Sequence, residues 1–504
     1  MTQSVVKKLL GETAIYGLSS VLGRLLFFLL TPLYTTLLSK QDYGQMTELF
    51  AYAAFLMLFF TYRIEMAFFR FGVEETSRNA VFSTALSALA MSVFCMTGLL
   101  LLFIRPLAEV LQYAAYPQYL VLVALILAAD ALCEIPFARL RLEGKSARFA
   151  MLKLLNISIN IGFNLFFLLA CPYLITHLPK ENIIYIFVTS FYNQDFQISY
   201  IFIANLLAAL FTFIFLLPQY FAVKWTFDRR LWSKMLAYSL PLLIVGLAGN
   251  VNELLDRVLL KWYLPFSISE NESLLGEYGA SYKLTMILTL FTQAFRMGAE
   301  PFFFKNANKS DAKKTYADVT KFFTIAALVG LLITLLYLDI IKYMIAPKFW
   351  AGLSVVPILL FANLFLGIYY NVSVWYRLTD RTKMGAYISI LGAAVTLVCN
   401  IWWIPIFGYT GSAWATFICY GLMLVVCYWV GQRHYPVPYE ANKLLIISLL
   451  AFFIYYCSVL VRPFLMPHLA LVLVANSGLL ALFLAATWQL ALRKGTEKGG
   501  VAPR

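Results

Sequence analysis

The residues that could do chemistry stand alone in apolar surroundings. Arg24 lies among Val21, Leu22, Leu25 and Leu26. A charge at the centre of a membrane helix costs about 2.5–3.5 kcal/mol on the insertion scale, so it calls for a partner or a water-filled cavity. Arg24 either pairs with an acid to fix helix packing or lines a cavity that receives an anion, where its planar fork grips two oxygens at once. Asn250, Glu253, Asp256 and Arg257 recur at spacings of three and four, which places them on one stripe of a helix turned inward. Arg257 faces a cavity, or pairs with Glu253 and snorkels to the near interface. Lys283 lies toward one end of the next helix. Arg63 with Glu65, and Arg296 with Glu300, lie at comparable depth in two different helices and form either a gate or a pair of headgroup anchors. Asp130, one turn from Glu134, is either a proton or sodium site or half of a structural pair.

Other chemistries lack their residues. No phosphate-binding Gly-rich loop with its lysine occurs, and no G-x-G-x-x-G follows a strand. His177, His434 and His468 are scattered, and the cysteines at 95, 133, 171, 399, 419, 427 and 457 include no C-x-x-C pair. Neither a metal site, a bound cofactor nor a catalytic group is expected, and the basic charge is not a nucleic-acid footprint. Any transport must draw on a gradient or on substrate supply.

The elements that position these residues follow from composition. Of 504 residues, 62% are hydrophobic and 13% charged, about half the charge of an ordinary soluble domain. Apolar runs of 20 to 30 residues alternate with short polar loops, the length that carries a helix across about 30 Å of hydrocarbon. The fold class is all-α integral membrane, with fourteen spans near 12–37, 44–70, 79–103, 117–137, 147–170, 197–217, 235–262, 279–304, 319–345, 353–374, 384–404, 410–431, 442–461 and 469–492. A barrel would show ten-residue alternation, which is missing. The first run is too long for a cleaved signal peptide and is expected to stay as a helix. With the N-terminus cytoplasmic, 26 basic residues fall in inner segments against seven in outer ones, so both termini are expected inside.

An internal repeat sets the organisation. At an offset of 235 residues, Asp42-Tyr43-Gly44 falls on Glu277-Tyr278-Gly279, Glu65 on Glu300 and Arg70 on Lys305; at 238, Arg139-Leu140 and Lys145 fall on Arg377-Leu378 and Lys383. Two parallel six-helix lobes are expected, 1–218 and 235–434, with a central cleft between them. Residues 219–234, with Trp225, Phe227 and Trp232 among basic side chains, read as an interfacial amphipathic linker or a plain basic loop. Residues 435–504 hold two extra spans and a cytoplasmic tail.

These residues resemble a known family. Tyr16-Gly-Leu-Ser-Ser-Val-Leu-Gly-Arg24, Leu30-Thr-Pro-Leu-Tyr-Thr-Thr-Leu-Leu-Ser39 to Gly44, Asp256-Arg257-Val-Leu-Leu-Lys-Trp-Tyr-Leu264 and Gly276-Glu-Tyr-Gly-Ala-Ser-Tyr-Lys283 are similar to the polysaccharide biosynthesis exporters, the Wzx-type flippases of the multidrug/oligosaccharidyl-lipid/polysaccharide (MOP) superfamily. The resemblance implies alternating access in a bacterial inner membrane. It implies a polyprenyl-diphosphate-linked glycan drawn to a cationic cavity between the lobes, with Arg24, Arg257 and Lys283 on family-matching positions. Polysaccharide polymerase and export machinery would be partners. Peptidoglycan-precursor flippases and cation-coupled drug antiporters stay open as alternatives. A membrane polymerase or ligase would need a large catalytic outer loop, and no outer loop exceeds roughly 30 residues. The stretch Pro172 to Phe196, with Tyr185, Tyr192 and Asn193, is longer than the family leads one to expect and should contain a partial helix.

Overall fold

The computed structural model describes residues 21–73, 78–222, 225–307, 309–465 and 468–492. Tyr16, the start of the first span and the basic residues Lys7, Lys8, Lys224, Arg493, Lys494, Lys498 and Arg504 lie outside the described residues. Lipid offers no hydrogen bonds to a bare backbone, so each apolar run closes its own ladder as a helix. In chain order the helices are α1 (Val21–Leu37, the described part), α2 (Lys40–Thr61), α3 (Ile64–Phe71), α4 (Arg78–Leu102), α5 (Gln118–Leu142), α6 (Ser146–His177), α7 (Ile183–Phe191) and α8 (Gln197–Phe221). There follow α9 (Arg229–Tyr263), α10 (Ile268–Asn306), α11 (Ala312–Leu336), α12 (Pro347–Leu378), α13 (Thr382–Phe407), α14 (Tyr409–His434), α15 (Ala441–Leu465) and α16 (Leu469–Leu492). Among the described residues no strand occurs.

Twelve helices among the described residues are long and apolar enough to cross a membrane, against the fourteen expected. The two segments that fall short of that measure are α1, whose described part is short, and α10, which is helical over 39 residues but carries Lys283, Arg296 and Glu300 along its length. Large apolar side chains such as Phe94, Trp402 and Phe464 point outward from their spans, the arrangement that suits acyl chains as solvent.

Local signals set the ends. Ser39 starts α2 with a capping box: its hydroxyl accepts from Asp42 N and Asp42 Oδ2 accepts from Ser39 N. Asp228 caps α9 through the amides of Arg230 and Leu231. Before it, Trp225–Asp228 is not helical; Thr226 N and Asp228 N donate to Ser83 and Thr84, which tie this strap to the start of α4. Within 172–196, α7 is capped by Asn182, and Val188 and Tyr192 bind it to Phe167 and Tyr200. A π-helical turn at Phe166–Ala170 interrupts α6.

Packing groups the chain into two compact units, Met1–Gly279 with Asn400–Gly408, and Ala280–Cys399 with Tyr409–Arg504. In the first, α5 packs on α8, α4 and α2, and α9 lies along α2 and α3. In the second, α12 packs on α14 and α11, and α15 and α16 pair against α11. Ser458 there donates to Asn476 at 2.7 Å and Asn476 to the Leu336 carbonyl at 2.6 Å, polar ties between apolar spans.

Candidate functional site

Arg24 lies on an exposed face of α1, and among the described residues no carboxylate pairs with it.

The other charged candidates of the first unit fall into two groups. At the end of α2 the chain turns through Tyr62 and Arg63, both left-handed with φ of 34° and 58°. That backbone costs about 1–3 kcal/mol per non-glycine residue and persists where surrounding structure enforces it. The turn lays the Arg63 guanidinium against Gly246 of α9 and 3.4 Å from Glu65. Glu65 has Glu134 and Arg63 as charged neighbours, and Asp130 has Lys153 and Glu134. Arg63, Glu65 and Asp130 thus belong to one charged patch, which Glu134 joins. Asp130 lies on the exposed side of α5.

The stripe on α9 divides. Glu253 is exposed, and Asn250 is half-buried, donating to the Ala54 carbonyl at 2.8 Å. Asp256 and Arg257 are buried: Tyr278 donates to Asp256 at 2.6 Å, and Arg257 reaches Asp256 at 3.5 Å and the Glu253 carbonyl at 2.5 Å. Arg257 thus has Asp256 and the Glu253 carbonyl among its partners. One turn further, Lys261 is fully buried, 3.0 Å from Glu48 and 3.0 Å from Glu272, with the Leu111 carbonyl at 2.8 Å. Tyr113 donates to Glu48 at 2.5 Å, and Gln41 and Gln45 donate to Glu272 at 3.0 and 2.7 Å. Sequence reasoning missed this triad, having counted Lys261 as a loop lysine. The signal was there: Lys261 continues the helical spacing of Glu253 and Arg257.

A close helix crossing brings the triad together. A Cβ on Gly44 would sit 1.8 Å from the Glu272 carbonyl oxygen, and one on Gly276 would sit 2.1 Å from that of Lys40. Only glycine lets the two backbones touch here. Lys40 and Glu277 pair at 2.6 Å beside the crossing.

In the second unit, Arg296 and Glu300 are joined by Arg377, which was not a candidate. Glu300 Oε1 lies 2.6 Å from Arg296 and 2.7 Å from Arg377, and the Arg296 guanidinium stacks 4.7 Å from the Tyr370 ring centre. A small cavity opens here, lined by Thr292, Arg296, Glu300, Tyr370 and Asn371 among others. Two guanidiniums on one carboxylate leave a net positive charge, which suits an anion. Lys283 is half-buried and already engaged. Outside the spans, the Glu143 and Glu440 carboxyls are held below the usual carboxylate range. For Glu143, partial burial works upward but hydrogen bonds from Lys145 and Arg139 outweigh it; for Glu440, the hydrogen bond from Lys443 leads, and Lys321 adds to it. Among the described residues, no three His, Cys, Asp or Glu side chains are placed to hold a metal ion.

The same arrangement of helices occurs in several solved structures. The chain is similar to the solved structure of "Lipid II flippase MurJ, inward closed conformation", with a TM-score of 0.70 at 14% identity, covering 95% of this chain and 99% of that one. It is also similar to an inward-facing multidrug resistance MATE family transporter of the MOP superfamily, with a TM-score of 0.55 at 15% identity, covering 86% and 94%. A third likeness is to the Vibrio cholerae MATE transporter VcmN in the bent form, with a TM-score of 0.55 at 12% identity, covering 86% and 97%. No curated protein sequence matches the chain. The family model described as polysaccharide biosynthesis protein matches residues 9–307, more than half of the chain, and the chain belongs to that family.

Proposed function

We propose that this protein flips an undecaprenyl-diphosphate-linked oligosaccharide, the repeat unit of an O-antigen, capsule or exopolysaccharide, from the cytoplasmic to the periplasmic leaflet by alternating access. It acts as a carrier and not as an enzyme, in the bacterial inner membrane with both termini cytoplasmic, and hands its product to polysaccharide polymerase and export machinery. Membership of the polysaccharide biosynthesis family supports the substrate class. The observation that carries the reading is Arg24, a cation exposed within an apolar span and free of any described acid. A diphosphate offers it a bidentate partner in a setting poor in water. Asn250, Glu253, Asp256 and Arg257 continue the proposed substrate path in the first unit, with Arg257 and Asp256 shaping it from a buried position, and Lys283 is the proposed substrate-binding cation of the second.

Lipid II is the second reading, because the likeness to MurJ extends over 95% of the chain. Both lipids present a polyprenyl diphosphate and differ in the glycan. Proteoliposomes loaded in parallel with a lipid-linked oligosaccharide and with lipid II separate the two by which lipid reaches the opposite leaflet. Arg24→Ala should slow flipping roughly ten- to a hundredfold, the worth of a hydrogen bond to a charged group. Arg24→Lys should retain part of the rate, since charge survives without the fork. A normally inserted Arg24→Ala protein that flips at the wild-type rate would sink the assignment of Arg24.

A further inference from the structure

The Glu48–Lys261–Glu272 triad lies at the crossing of α2 and α10, and its charges do not balance. Lys261 donates to Glu48 Oε2 and the Leu111 carbonyl and forms an ion pair with Glu272 Oε1 at 3.0 Å, so its ammonium sits between two carboxylates. Two ionised carboxylates around it would leave one uncompensated negative charge at a place where all three side chains are closed to solvent. An isolated buried charge of that kind is expelled or neutralised.

The contacts say which carboxylate is neutralised. Glu272 Oε2 accepts from the amides of Gln41 and Gln45, and its Oε1, although without a hydrogen bond, faces the Lys261 ammonium at 3.0 Å. On Glu48 both Tyr113 and Lys261 fall on Oε2, while Oε1 is buried with no hydrogen-bond donor. The remaining groups facing the triad do not supply a second positive charge. From α2 come Tyr52, beside Glu48, and Lys40, which is paired to Glu277 of α10; from the segment before α5 comes Tyr113; on α9, Arg257 is held by Asp256. Asp42, which caps α2, adds only negative charge.

We infer that Glu48 is a proton-binding site: closing α2 onto the N-terminal part of α10 captures one proton from water on the Glu48 carboxylate, and parting the two helices rehydrates the carboxylate and returns the proton. The glycine contact at Gly44 and Gly276 makes the capture all-or-none, because the backbones meet with no room for water between them. This holds whichever lipid-linked substrate is carried, so a failed flipping assay leaves it standing.

The test is hydrogen–deuterium exchange of the full-length protein in lipid nanodiscs, without substrate, read on peptides covering residues 38–48 and 266–276. After correction for intrinsic exchange, the opening constant of this seam should rise about tenfold per pH unit across part of the range from pH 5.5 to 8.5, the slope of one proton released on opening. Glu48→Gln, which mimics the protonated form, should flatten that slope, and so should Glu272→Gln, which leaves Lys261 and Glu48 as a balanced pair with no call for a proton. A wild-type opening constant that does not move with pH overturns the inference, whether or not the Glu48→Gln protein folds. So does a slope that survives Glu48→Gln, and a slope that survives Glu272→Gln removes the charge imbalance as its cause.

Discussion

At the scale of single residues, identical side chains take opposite fates by a turn of helix. Asp130 is exposed in α5 with Lys153 and Glu134 as charged neighbours, whereas Asp256 is buried in α9 and accepts from Tyr278. An exposed carboxylate near a lysine is free to bind and release a cation; one held by a tyrosine and an arginine is a packing element. Asp130→Asn should therefore remove the dependence of transport on its coupling ion, proton or sodium, while protein yield and melting temperature hold. Transport that keeps its ion dependence in this variant would make Asp130 a partner of Lys153 and nothing more. Asp256→Asn, by contrast, should lower stability first, because it leaves the buried Arg257 without its carboxylate.

At the scale of elements, the α2–α10 crossing is the most constrained contact of the first unit. Gly44 and Gly276 each face a backbone carbonyl that cannot swing away as a side chain could. Gly44→Ala should cost about 1–3 kcal/mol, as overpacking does, and lower the melting temperature by a few degrees. Gly98 is the matched control. It is helical in α4 with no atom within 4 Å of a built Cβ, so Gly98→Ala should be neutral or mildly stabilising. Equal melting temperatures for the two variants, measured on detergent-solubilised protein, would show that the crossing relaxes at no cost. The break between α2 and α3 is the other constrained element, since Tyr62 and Arg63 hold a backbone that neither residue prefers.

At the scale of the whole molecule, the loop charges set the orientation. Ser269 and Ser310 are both exposed and lie at opposite ends of the segment that includes α10. Cysteines placed there in a cysteine-free background should report opposite sides in intact cells: the one at 269 labelled by an impermeant maleimide, the one at 310 protected. The reverse pattern would turn the protein over and with it the direction of flipping. The basic excess of 26 to seven carries this expectation.

The sequence by itself determined the solvent of this protein and the elements that solvent allows. Long apolar runs in a chain with 13% charge leave only helices, and their ends fell near the polar loops that bound them. It also marked Arg24, Asp130 and the 63/65 and 296/300 pairs, because a charge inside an apolar run is conspicuous wherever the run goes. Tertiary structure alone decided the partners. Lys261 looks like a loop lysine until α9 lies along α2 and the start of α10 closes over it; Arg377 looks like a topology marker until it meets Glu300. The repeat register divides the sequence at residues 219–234, while packing joins α9 and the first turns of α10 to the unit that holds α2. The reason is physical. Hydropathy is a property of each segment, but the neutralisation of a buried charge depends on which helices meet, and that is fixed by contacts between residues as far apart as 48, 261 and 272.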